Sequence, residues 1–156
     1  MKVVEEIRRL LSSGDEVEKE RGIEDIGDRF QYGGMDSPEL IEGIDILLAH
    51  IPMEKDDAVK ESILHSIHNG IVYQDIASDI SLDLLVPVLS TFNEEQLTYV
   101  LTFMGFSGKG KYKSSLETFL HHSSGEIIEA AKEAIIEIEY RGSSGEGDRA
   151  IEGKVT

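Results

Sequence analysis

YKSSLETFLHHSSGEIIEAAKEAIIEIEYR, residues Tyr112 to Arg141, is the stretch whose reading decides the fold. It reads as two amphipathic helices joined by Ser123-Ser124-Gly125. In the second, Ile127, Ile128, Ala131, Ala134, Ile135 and Ile138 recur along one face of a 3.6-residue period. Glu126, Glu129, Lys132, Glu133 and Glu137 take the opposite face. Leu116, Phe119 and Leu120 put a shorter matching stripe on the first helix. One such hairpin cannot bury its own apolar face, so it needs neighbours of the same kind.

The chain toward the N-terminus supplies them. Lys2 to Ser12 carries Val4, Ile7, Leu10 and Leu11 on one face, and Ser13-Gly14 stops it. Asp15 is placed to cap a helix reaching to about Gln31, with Glu16 and Glu18 near its positive end and Val17, Ile23, Ile26 and Phe30 as its stripe. Gly22 and Gly27 lower its intrinsic propensity by ~1 kcal/mol each relative to Ala, the usual mark of close approach by a neighbouring helix. After Gly33-Gly34, Ser37 as cap and Pro38 as first helical residue start a helix. Leu40, Ile41, Ile44, Leu47, Leu48 and Ile51 would face the core, and Pro52 would end it. Asp56 or Asp57 caps the next, which buries Val59, Ser62, Ile63, Ser66, Ile67 and Gly70 and runs to about Val72.

Tyr73 to Ser81 reads as a connector. Leu82, Leu85, Val86 and Leu89 predict a short helix that Pro87 must kink or end. Asn93 with Gln96 forms a capping arrangement for a helix through about Phe106, and Gly105 to Lys113 is a loop. The pattern predicts an all-α domain over residues 1–141, eight helices in four antiparallel hairpins. From Gly142 onward the chain is polar and low in complexity, and residues 142–156 are expected to be a disordered tail.

The second helices of the hairpins share a frame. Val59 to Ile67 lies over Ile127 to Ile135, with apolar anchors at both ends and small residues at Ser62/Ala130 and Ser66/Ala134. Frames starting at Glu18, Val59, Leu97 and Ile127 have the spacing of helical repeats. The pattern resembles HEAT-like repeats over roughly residues 15 to 141: Asp57-Ala58-Val59-Lys60 is similar to the family's acid-x-Val-basic start of a second helix, and Pro87 sits where a first helix is commonly kinked. Ile128 and Thr98 replace the basic residue in the later repeats. The resemblance implies an α-solenoid of about four hairpins whose second helices line a concave side. An irregular helical bundle is the alternative.

Charge bounds the partners. The 156 residues hold 31 acids and 15 bases, a formal net charge of −16. Such a chain is ill suited to bind nucleic acid or an anionic membrane directly, since both need Lys and Arg against phosphate. It suits a basic partner, or the acidity serves solubility alone. There is no Cys, no apolar signal core after Met1 and no apolar run of membrane-spanning length, so a cytoplasmic setting and a free monomer are expected.

Three constellations bear on chemistry. Gly105 to Tyr112 nearly spells a phosphate-binding loop, but Tyr112 stands where the magnesium-binding hydroxyl belongs and a helix, not a strand, precedes it. It is read as a basic connector. Glu61, His65 and His68 lie one turn apart and could face a metal, but two-residue helical spacing is weak and His121-His122 is on another hairpin, so they are read as solvated side chains and no cofactor is expected. Carboxylates are numerous and lie on wet faces, and no nucleophile motif occurs, so no enzyme activity is expected.

The concave side is the candidate site. Tyr99, Phe103 and Phe106 form a second stripe on their helix, matched by Leu64, His65 and His68 on one neighbour and by Ile136 and Tyr140 on the other. Glu20, Glu24, Asp28, Glu61, Glu94, Glu133 and Glu137 would flank it. An apolar centre with a charged rim is how tight interfaces are built. Equally, a central helix is simply buried on two sides. Size, acidity and helical-array pattern resemble those of bacterial immunity proteins of contact-dependent or polymorphic toxin systems. That resemblance implies capture of a basic nuclease-type toxin domain by blocking its active-site cleft. The alternative is a HEAT-type scaffold or regulatory subunit with no inhibitory role.

Overall fold

The computed structural model describes the backbone of residues 2–155 and the side chains of residues 2–142. Its described residues form seven α-helices joined by turns and short 3-10 segments. Helix α1, Val3–Leu11, leads into α2, Glu16–Tyr32, whose Asp15 cap accepts from the N–H groups of Val17 and Glu18. In α3, Ser37–His50, the cap is Asp36 rather than Ser37: its carboxylate accepts the Glu39 N–H at 2.9 Å, and Pro38 moves to the second helical position. A charged cap also meets the positive end of the helix, an advantage the serine lacks. Asp56 caps α4, Asp57–Tyr73, and Asn93 with Gln96 makes a full capping box on α5, Glu94–Ser107. Helix α6, Lys113–Glu117, is one turn long, and α7 is Gly125–Val155. The disordered tail expected over 142–156 falls on residues whose side chains, after Gly142, lie outside the described set.

Two first helices are shorter than the sequence predicts. Around Pro87 the chain forms only a 3-10 helix, Val86–Thr91, although Leu82, Leu85 and Leu89 are buried as expected. Pro87 has no N–H to give an α-helix, and burial of three leucines does not require one. Similarly, Phe119 and Leu120 leave α6 for turns and remain half-buried against the core. Val17, expected in the α2 stripe, is 58% exposed, because it lies in the first turn beyond the reach of the packing neighbours.

Helix α1 pairs antiparallel with α2 through Arg9–Glu18 and Glu6–Arg29, and α2, α4, α5 and α7 lie side by side in one layer, running the same way. Helices α1 and α3, the 74–93 connector and α6 cover the other face. Small residues set the spacing between layer neighbours. A Cβ on Gly27 would stand 3.0 Å from the Cα of Ser66, and one on Gly105 would stand 2.9 Å from the Cα of Ala134. At the α2/α4 seam, Ser66 Oγ donates to the Ile23 carbonyl at 2.7 Å, and Asn69 Nδ2 to that of Gly27 at 3.2 Å. These polar groups are buried and satisfied, which fixes register as well as distance.

A buried ion cluster ties the start of α2 to the α3–α4 turn. Glu54 Oε1 accepts from Lys19 Nζ at 2.9 Å and lies 2.9 Å from His50 Nε2, while its other oxygen accepts the N–H groups of Lys55 and Asp56. Burial alone would raise this carboxyl; the Lys19 and His50 contacts and the Asp56 N–H outweigh it and hold it at about 2.

Candidate interaction surface

The site residues are positioned by the α4/α5 seam, where packing is looser than at α2/α4 or α5/α7. Helix periodicity places His65 and His68 one turn apart on α4, and the Asn93 capping box fixes the start of α5 so that Tyr99 falls opposite them. The Tyr99 and His68 rings meet edge-on with centroids 5.4 Å apart, and His65 lies 6.4 Å from the same ring. From α2, Glu24 Oε1 reaches His65 Nδ1 at 3.0 Å. Three helices thus converge on one half-buried aromatic cluster.

Its electrostatics follow from burial and from the surrounding acids. Burial pushes the Tyr99 phenol up, and the carboxylates of Glu95, Glu24 and Glu61 push it further. Burial lowers the His68 imidazole, and His65 beside it adds to the effect. His68 is therefore held toward its neutral form at a site where the local field is negative.

The expected site residues divide. Glu20, Glu24, Glu61, His65, His68, Tyr99 and Glu137 are half-buried, and Asp28, Glu94 and Glu133 are exposed. Leu64 and Phe103 do not belong to the surface: both are fully buried core residues. Helices α4 and α5 have layer neighbours on both sides, so positions adjacent to the inner stripe lean into a seam instead of out of it. Phe106 is covered by Arg141, whose guanidinium lies 4.6 Å from its ring centre. Ile136 and Tyr140 are 64% and 72% exposed on α7, and no ring contact among the described residues joins Tyr140 to the Tyr99 cluster.

Sequence reasoning missed Glu95, Thr98 and Glu126. With Glu94 and Tyr99 they line a cleft of about 550 Å³ beside the first turns of α5 and α7. The available signal was the Glu95/Tyr99 spacing, which puts acid and ring on one helix face. A second cleft, of about 500 Å³, is lined on α2 by Val17, Glu20, Arg21, Glu24 and Asp25.

The glycine–lysine loop has a structural use. Gly105 lies inside α5, and Gly108, at φ +66°, is the left-handed residue that ends it. Lys109 Nζ donates to the Ile80 carbonyl at 2.7 Å, and Lys111 pairs with Asp83. Tyr112 OH accepts the Leu82 N–H at 2.7 Å and donates to Asp83 at 2.8 Å. These bonds anchor the 80–83 connector, and helix α5, rather than a strand, leads into the loop. Among the described residues no group of three His, Asp or Glu side chains is close enough to hold a metal ion. Nor is any of their helices long and apolar enough to cross a membrane.

No protein-family model matches the chain, and no curated protein matches it. Its fold is similar to the crystal structure of an engineered protein, Northeast Structural Genomics Consortium Target OR329, with a TM-score of 0.64 at 17% identity. The likeness covers 88% of this chain and 63% of that one, so the chain spans less than two thirds of the engineered protein's length. At that identity the likeness shows the fold alone: an all-helical protein of antiparallel helix pairs.

Proposed function

We propose that this chain is a non-catalytic binding module, a HEAT-like helical repeat whose inner face captures a basic protein. The observation that carries the reading is the Tyr99–His65–His68 cluster set among Glu24, Glu61, Glu94 and Glu95 on the α4/α5 seam. A half-buried aromatic centre supplies slow dissociation, and an acidic surround on a chain of net charge −16 supplies attraction at a distance. In its most specific form the module is an immunity-type inhibitor that lies across the cationic cleft of a nuclease and excludes nucleic acid. Leu64 and Phe103 have no direct part in that surface; Glu95, Thr98 and Glu126 join it.

The test is purification of the tagged chain from its native cell at low and then moderate salt, followed by mass identification and a nuclease assay. The expected result is one basic protein at near-stoichiometric amount, with an association rate that falls steeply with salt and a nuclease activity that the chain blocks. A retained neutral or acidic subunit would overturn the inhibitor reading in favour of a scaffold.

A further inference from the structure

The two ends of the α5/α7 seam are built from the same kinds of side chain. At the C-terminal end, Phe106 of α5 carries the Arg141 guanidinium of α7 4.6 Å from its ring centre. Arg141 Nε in turn donates to Glu137 Oε1 at 2.6 Å. Ring, guanidinium and carboxylate there complete one another within the chain. Two helical turns earlier on α5, Tyr99 supplies the ring again, and Glu95, one turn before it, and Glu126, in the first turn of α7, supply the carboxylates. Glu94 adds a third acid, held in place by the Ser124 hydroxyl at 3.2 Å. These side chains and Thr98 line the 550 Å³ cleft, and among the described residues no basic residue lines it with them. The α2 cleft differs on this point, because Arg21 lies within it among Glu20, Glu24 and Asp25.

We propose that the cleft between the first turns of α5 and α7 is the subsite for an arginine side chain of the basic protein partner. Its guanidinium would lie against the Tyr99 ring and donate to Glu95, Glu126 and Glu94, in the manner of Arg141 on Phe106 and Glu137. Arginine fits better than lysine for a physical reason. A guanidinium is planar, weakly hydrated and forked, so it stacks on a ring while donating sideways to carboxylates; an ammonium is a compact, strongly hydrated charge that does one or the other. Three carboxylates around one cleft also repel one another until a cation enters, so charge complementarity selects the occupant. The inference rests on the proposed capture of a basic protein and specifies which side chain the surface reads.

The test titrates the full chain, at low and moderate salt, with an arginine–serine–glycine peptide and with its all-lysine counterpart of equal length and charge. The arginine peptide should bind several-fold more tightly than the lysine peptide. Glu94→Gln/Glu95→Gln/Glu126→Gln should weaken the arginine peptide about tenfold or more. Tyr99→Ala should weaken it roughly threefold to tenfold, and Tyr99→Phe, which keeps the ring, should bind as the parent does. Asp25→Asn in the α2 cleft, where Arg21 already resides, should change binding less than about twofold. The acid-to-amide variants alter exposed or half-exposed side chains, and thermal unfolding at the parent's temperature is the check that they stay folded. Equal affinity for the two peptides, or unchanged affinity of the α5/α7 triple variant, would overturn the subsite while leaving capture of a basic partner standing. Failure of the parent chain to bind either peptide would overturn both.

Discussion

Where α2 meets α4, glycine faces serine and the helices close until a hydroxyl on one reaches a backbone carbonyl of the other. Where α4 meets α5, histidines face tyrosine and the packing is looser. Both seams join parallel neighbours of one layer, so the difference comes from side-chain size. A seam of small residues leaves no room for anything else. A seam of rings holds the backbones apart, leaves the rings half-exposed and admits acids at the rim. The first seam sets the geometry of the array, and the second carries the surface proposed to bind a partner.

That contrast is open to direct test. The largest effect should come from separating core from surface on α5. Phe103→Ala should cost about 3–5 kcal/mol in urea unfolding, as a fully buried ring does, whereas Tyr99→Ala should cost about 1–2 kcal/mol. Equal losses would mean that Tyr99 is as structural as Phe103 and that the seam is not open.

Next comes the ion cluster that pins α2 to the α3–α4 turn. Glu54 is held at about 2 in the folded chain against an ordinary 4.5, so its folded pKa is depressed. Its contribution is therefore fully present above the unfolded value and is lost as pH falls from about 4.5 toward about 2. The loss should be on the order of 2–3 kcal/mol, allowing for residual solvent screening. Glu54→Gln should flatten that limb of a stability-versus-pH curve, at the expense of neutral-pH stability, because the buried Lys19 then keeps only the longer 3.7 Å pairing with the half-exposed Glu16. An acid limb unchanged in Glu54→Gln would show that the cluster does not hold the tight side of the array.

The smallest effect concerns the closed seams themselves. Gly27→Ala and Gly105→Ala each meet neighbouring backbone and should cost about 1–3 kcal/mol. Gly22→Ala meets side chain rather than backbone, that of the buried Leu10, and the gain in helix propensity of ~1 kcal/mol offsets part of the cost of shifting it. Thermal unfolding of the three variants should rank Gly22→Ala as the mildest; equal shifts would show that backbone approach is not what sets the spacing.

Much of this was legible in the chain because it depends on local chemistry. Asp15 and the Asn93/Gln96 pair announce helix starts through groups within three residues of each other, and the isoleucines of 127–138 announce a face through periodicity alone. Gly27 could be read as a contact point, though its partner Ser66 could not. The choice between Asp36 and Ser37 turned on one residue of register, which adjacent cap-forming side chains leave open.

What periodicity by itself determined is which residues avoid water: the all-helical class, the stripes and the layer of second helices. Tertiary structure decided the rest, because it depends on which neighbour a side chain meets. Leu64 and Phe103 share a sequence stripe with His65 and Tyr99, yet the two-sided packing of α4 and α5 buries the first pair completely and leaves the second half-exposed. The leucines at 82, 85 and 89 were bound for the core in either conformation, and only the anchoring bonds from Lys109 and Tyr112 and the missing N–H of Pro87 accompany a 3-10 path there. Lys19 on α2 and the His50/Glu54 pair at the α3–α4 turn lie on two different segments and become one cluster only when those segments close together. Hydrophobic pattern is a property of single segments; seams, ion clusters and clefts are properties of pairs of segments, and only folding brings the pairs together.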